Sequence, residues 1–91
     1  MFTVRWLQDS LNDLTTIWLQ ADSDTRREIT AATHSIDLAL QSDPRQDSES
    51  RDENEFVRFF FPLGVSFEID TEKPTVYILH VWQFRRRRVQ S

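Results

Sequence analysis

The side chains able to do chemistry in this chain are few, and most lie in its second half: Arg58, Glu68, His80 and the arginine run that closes HVWQFRRRRVQS. An unperturbed histidine titrates near neutrality, so His80 is a candidate general acid or base, tuned by Glu68 across a sheet. The plainer alternative is a partly buried histidine satisfied by one hydrogen bond. Arg58 stands alone among phenylalanines in EFVRFFF. It is either a cation of a site or the ion-pair partner of an acidic neighbour such as Glu68. Trp82 and Phe84 either stack on bases or form an apolar floor that a partner covers. His34, three residues before Asp37, reads as a solvated side chain. Two isolated histidines and no cysteine give no recognisable ligand spacing, so no metal and no cofactor are expected.

Those residues need elements to position them, and the pattern supplies six. FTVRW alternates as a half-buried strand does. Leu7, Leu11, Leu14, Trp18 and Ala21 then follow helical spacing, which predicts a helix over about residues 9 to 20, capped by Asp9 or Ser10, with Asn12, Asp13, Thr15 and Thr16 outward. Ala21 to Asp24 offers cap residues and Thr25-x-x-Glu28 reads as a capping box for a second helix with Ile29, Ala32, Ile36, Ala39 and Leu40 as its apolar stripe, ended by Asp43-Pro44. The two helices should form an antiparallel hairpin. Residues 43 to 54 hold no apolar side chain and predict a mobile surface loop. EFVRFFF, GVSFEID and TVYILHVWQF follow as an antiparallel meander, the last strand central because both its faces are apolar.

The resulting fold class is α+β, in the order βααβββ, with an antiparallel sheet covered on one face by the helical hairpin. Residues 1 to 84 form the single domain and residues 85 to 91 a basic tail. Val65, Phe67 and Ile69 should meet the helices, leaving Ser66, Glu68 and Asp70 on the open face. On the last strand, Tyr77, Leu79 and Val81 are assigned to the core, and Ile78, His80, Trp82 and Phe84 to the open side. If Arg58 shares that side, then Arg58, Glu68 and His80 converge on one concave surface.

Charge restricts the partners. The net charge of -4 conceals an acidic body, because residues 1 to 84 hold seven basic against fifteen acidic side chains while Arg85 to Arg88 add four positive charges at one end. Such a body is a poor general binder of nucleic acid, and any RNA contact would be local. Without cysteine, a leader pattern or a run of about 18 apolar residues, the reading is a soluble protein of a reducing cytoplasm with no membrane role.

The order and lengths of these elements resemble the RelE/ParE superfamily of type II toxin-antitoxin toxins, often called plasmid stabilisation proteins. VRWLQDSLNDLTTIW resembles the family's opening strand and first helix, ITAATHSIDLALQSDP its second helix with the Leu40-x-x-Asp43-Pro44 end, and PLGVSFEID with VYILHVWQFRR its closing strands. The resemblance implies a cognate antitoxin, whose tail would cover Trp82 and Phe84 and meet Arg86, Arg87 and Arg88. It also implies one of two activities. Ribonuclease members cut messenger RNA on the ribosome without metal, which here would draw on Arg58, Glu68, His80 and Arg85; gyrase-inhibiting members share the fold without that catalytic set. Ribonuclease members carry an arginine two residues after the glycine of the third strand, where this chain has Ser66, and Arg or His where it has Phe84. The alternative to a messenger RNA endoribonuclease is therefore a non-enzymatic binder: a gyrase inhibitor, or a domain that binds antitoxin or self-associates as a homo-oligomer.

Overall fold

The computed structural model describes residues 1–84. The elements are β1 (Thr3–Trp6), α1 (Gln8–Gln20), α2 (Ser23–Ser42), β2 (Glu49–Ser50), β3 (Glu55–Phe60), β4 (Leu63–Asp70) and β5 (Thr75–Gln83). They build one sheet in the order β1-β5-β4-β3-β2, antiparallel except where β1 runs parallel to β5. The α+β class and the central place of the last strand are as the pattern predicts. The strand β2 is an addition. The stretch from 43 to 54 is not wholly irregular, because Ser48 Oγ donates to the Pro44 carbonyl at 2.7 Å, closing a turn, and Glu49 and Ser50 then pair with Val57 and Phe56.

The helices begin differently from the expectation. For α2 the cap is Asp22, from the Ala21 to Asp24 stretch that offers cap residues, and not a Thr25 capping box; its carboxylate accepts from the Thr25 N–H at 2.8 Å. That N–H holds the Asp22 carboxyl below its ordinary range, and Arg26 adds a smaller pull in the same direction. No side chain caps α1, whose N-cap is Leu7; Ser10 is instead buried and turns its hydroxyl back to the Leu7 carbonyl at 2.7 Å. The face that α1 turns inward is Ser10, Leu14, Ile17 and Ala21, so Leu7, Leu11 and Trp18 are more than a third exposed. The apolar stripe read from the sequence is rotated by about one residue, since Leu7, Leu11 and Trp18 share spacing with Leu14 but not its burial.

Ile29, Ala32, Ile36 and Leu40 of α2 pack against Leu63, Val65, Phe67 and Ile69 of β4 and Val76, Ile78 and Val81 of β5. Burying a side chain such as Phe67 or Ile36 stabilises by about 1.5–3 kcal/mol, and this row forms the centre of the core. Trp6 ties the sheet edge to α2 by donating its indole N–H to Asp37 at 2.9 Å. Between the helices lies a groove of about 480 Å³ lined by Leu14, Trp18, Ile29, Thr33, His34 and Asp37. No helix among the described residues is long and apolar enough to cross a membrane.

Candidate functional site

The open face is set by register. Ser66 lies opposite His80 on one side and Val57 on the other; Gly64 lies between Trp82 and Phe59; Glu68 lies between Tyr77 and Glu55. Arg5 continues the last row beyond Tyr77. Ser66, Glu68 and Asp70 are therefore opposite the core, as alternation along β4 predicts.

On β5 the expectation is half right, and the cause is a bulge. Phe67 pairs with Ile78 and Ser66 with His80, leaving Leu79 as an extra residue. One unpaired residue reverses the alternation beyond it. Val76 and Ile78 therefore face the helices below the bulge and Val81 above it. Ile78, assigned to the open side from the sequence, is fully buried, and Tyr77, assigned to the core, shares a face with Glu68. His80 and Trp82 are on the open side as expected.

Arg58 does not join them. It pairs with Val65, a core residue, and so projects on the helix side of the sheet, where its guanidinium lies 4.7 Å from the centroid of the Phe60 ring. The expected convergence of Arg58, Glu68 and His80 is thus divided by the sheet itself. The reason is parity: Arg58 shares a face with Phe56 and Phe60, and that face is the one packed on the core. Nor does Glu68 tune His80. The partner of His80 is Asp13 of α1, whose Oδ2 is 3.2 Å from the ring Nδ1 and also accepts the Val81 N–H at 3.1 Å. A carboxylate can only accept, so Nδ1 donates, and among the described residues no hydrogen bond engages Nε2.

Asp13 was assigned to the outer face of α1, yet it closes the site. The signal was present: Asp13 is three residues after Ser10 and four before Ile17, so it lies along the face that Ser10, Leu14 and Ile17 turn inward. It reaches β5 because β1 ends at Trp6, opposite Ile78, and leaves the rest of that edge to α1.

At the far end of the face the aromatic residues cluster. The Trp82 ring lies over Gly64, where an added Cβ would sit 2.5 Å from the indole. Phe59 meets Trp82 edge-on with ring centroids 6.2 Å apart, and Phe84 packs edge-on against both Phe59 at 5.3 Å and Phe61 at 5.7 Å. Phe59 is 49% exposed. The opposite end is acidic: Glu68, Asp70 and Glu72 line a hollow beside Tyr77, and Glu55 and Glu68 line a second one that shares Asn54 with it. The expected participants Arg85, Arg86, Arg87 and Arg88 lie outside the described residues. No group of three or more His, Cys, Asp or Glu among the described residues is arranged to hold a metal ion.

Chemically, the face offers an oriented imidazole and an aromatic platform, with Arg5 and His80 as the basic side chains that the register places on it. Stabilising the transition state of phosphodiester cleavage requires several cations aimed at one phosphate.

Comparison with known proteins finds no matching family sequence model and no matching curated sequence. Solved structures do match. The RelBE2 toxin-antitoxin complex of Mycobacterium tuberculosis superposes with a TM-score of 0.73 at 24% identity, covering 90% of each chain. A chromosomal ParDE system of P. aeruginosa gives 0.71 at 14%, covering 93% of this chain and 98% of that one. The isolated E. coli RelE toxin gives 0.61 at 13%, covering 96% and 88%. Nearly the whole length is matched in each case, helices and sheet together: the chain has the fold shared by the RelE and ParE toxins.

Proposed function

We propose that this chain is the cytoplasmic toxin component of a type II toxin-antitoxin system, held by a cognate antitoxin, and that it acts by binding a protein target rather than by cutting RNA. The fold supports the toxin assignment. One observation carries the choice of activity: Arg58, the arginine that a cleavage site would draw on, projects on the helix side of the sheet and away from His80. The open face is instead aromatic at one end and acidic at the other, which suits contact with a protein. DNA gyrase is the target class that the ParE side of the fold suggests. In the antitoxin-bound form, Trp82 and Phe84 are the apolar contacts, and Arg86, Arg87 and Arg88 the electrostatic ones.

The Asp13–His80 pair supports the second reading, a messenger RNA endoribonuclease, because a carboxylate-held imidazole whose Nε2 no described residue engages is the arrangement of a general base. Inducing the chain alone in a bacterial host separates the readings. Growth arrest with intact messenger RNA and impaired DNA supercoiling is the expected result. Arrest with mapped cuts in translated messages, lost in His80→Gln, would establish the ribonuclease, and unimpaired growth would remove the toxin assignment.

A further inference from the structure

The helix α1 carries apolar side chains that the core does not use. Leu7, Leu11 and Trp18 recur at helical spacing beside the face formed by Ser10, Leu14 and Ile17, and they are 39%, 41% and 37% exposed. They share a stripe with Leu14, and Leu14 and Trp18 line the groove between the helices. That groove does not end at Trp18. Trp18, Thr30 and His34 also line a second hollow of about 470 Å³ with Arg26, Arg27 and Ala31, so the two join into one trough along the hairpin.

The trough has little to offer a polar ligand. Thr15, Thr30 and Thr33 spend their hydroxyl donors on the carbonyls of Leu11, Arg26 and Ile29, at 2.9, 3.0 and 2.8 Å. Its charges are divided by end. Arg26 and Arg27 stand where the hairpin turns, and Asp37 stands toward the other end, its Oδ1 accepting from Trp6. Arg26 is occupied, since its Nε donates to the Trp18 carbonyl at 3.0 Å and its guanidinium lies 5.4 Å from the Trp18 ring centroid. Arg27 is the available cation: it is 3.8 Å from Asp24, with both side chains more than 80% exposed, and such a pair holds weakly.

From this division we infer that the trough is a self-association surface, on which two copies pack their hairpins antiparallel about a two-fold axis near Thr15. Each copy sets Leu11 and Trp18 against the other's trough and turns Arg27 toward the other's Asp37. A two-fold interface uses one patch twice, so the patch must hold both members of every contact. This trough does, being apolar along its middle, cationic at one end and anionic at the other. Antiparallel packing brings the unlike ends together. An acidic helix of another protein would match one end only, and a small apolar ligand would leave Leu7 and Leu11 uncovered.

Size sets the strength. The 13 residues of α1 make it about 20 Å long, and a patch of that length buries on the order of 1,000 Å² counting both copies. That is the lower limit of specific interfaces, so the dimer should form at micromolar concentrations. The helices cover the sheet face opposite Ser66 and His80, so the dimer leaves the open face clear and does not rest on the reading above.

The test is sedimentation equilibrium of the full-length chain from about one to several hundred micromolar. A reversible monomer–dimer equilibrium is expected. Leu11→Glu, at an exposed position, should weaken it about tenfold or more with unchanged circular dichroism. Arg27→Glu should weaken it about threefold or more, because the axis repeats the loss, and by less in high salt. Phe59→Ser, on the open face, should leave it unchanged. The chain has no cysteine, so Thr15→Cys reports the axis. A short bismaleimide should join two copies through it, and should fail to do so through Thr71→Cys in the turn between β4 and β5. A chain monomeric throughout, a dimer indifferent to Leu11→Glu, a dimer lost in Phe59→Ser, or no selective cross-link through Thr15→Cys would each overturn the inference. A monomer whose trough takes up a helical peptide or a small apolar molecule would overturn it in favour of that occupant.

Discussion

Asp13 carries more than its place in the sequence suggests, because one carboxylate oxygen satisfies both the His80 ring and the Val81 backbone. Asp13→Ala removes both contacts and leaves the Val81 N–H unpaired beside the bulge. We expect a loss of about 1–3 kcal/mol in urea unfolding, whereas His80→Gln, which keeps the backbone contact, should cost less than about 1 kcal/mol. Equal losses would mean that the His80 contact dominates. Gly64 gives a second residue-level test. Gly64→Ala places a methyl where the Trp82 indole lies, and the ring must leave Phe59 to accommodate it. The expected loss is about 1–3 kcal/mol with a shifted Trp82 indole N–H resonance; an unmoved resonance would place the ring elsewhere.

At the scale of elements, the sequence revealed what periodicity and local chemistry encode. The α2 stripe, the Asp43-Pro44 end and the inward Val65, Phe67 and Ile69 are where their spacing predicts them. What it concealed depends on counting across strands. The bulge at Leu79 moves every later residue of β5 to the other face, and nothing in YILHVW marks which residue is extra. The side of Arg58 stays open in the sequence for a related reason, since EFVRFFF is aromatic on both faces and does not declare which one is buried. The Asp22 cap is a separate prediction. Its carboxyl titrates below the ordinary range, so the stability it adds to α2 is full above about pH 3.8 and is lost as pH falls through its folded-state value. Asp22→Ala should lower Tm at pH 7, with the difference from the parent shrinking in more acidic buffer. Trp6→Phe, which removes the hydrogen bond to Asp37, should cost about 1 kcal/mol and loosen amide protection in β1 before β4.

For the whole molecule, charge and topology set different limits. Truncation after Arg85 removes three positive charges from a chain that is already acidic. The circular dichroism of the folded body should be unchanged, while binding to an acidic antitoxin should weaken and lose part of its salt dependence. Topology acts on the order of events during synthesis. Among the described residues β5 is the last strand made, yet it lies in the sheet between β1 from the opening of the chain and β4. Until residue 83 has left the ribosome, β1 has no strand to pair with, Asp13 has no Val81 to hold, and Ile36 and Phe67 lack the β5 side chains of the core. A chain cut short before β5 therefore cannot close this core, whatever the helices and the earlier strands have already formed.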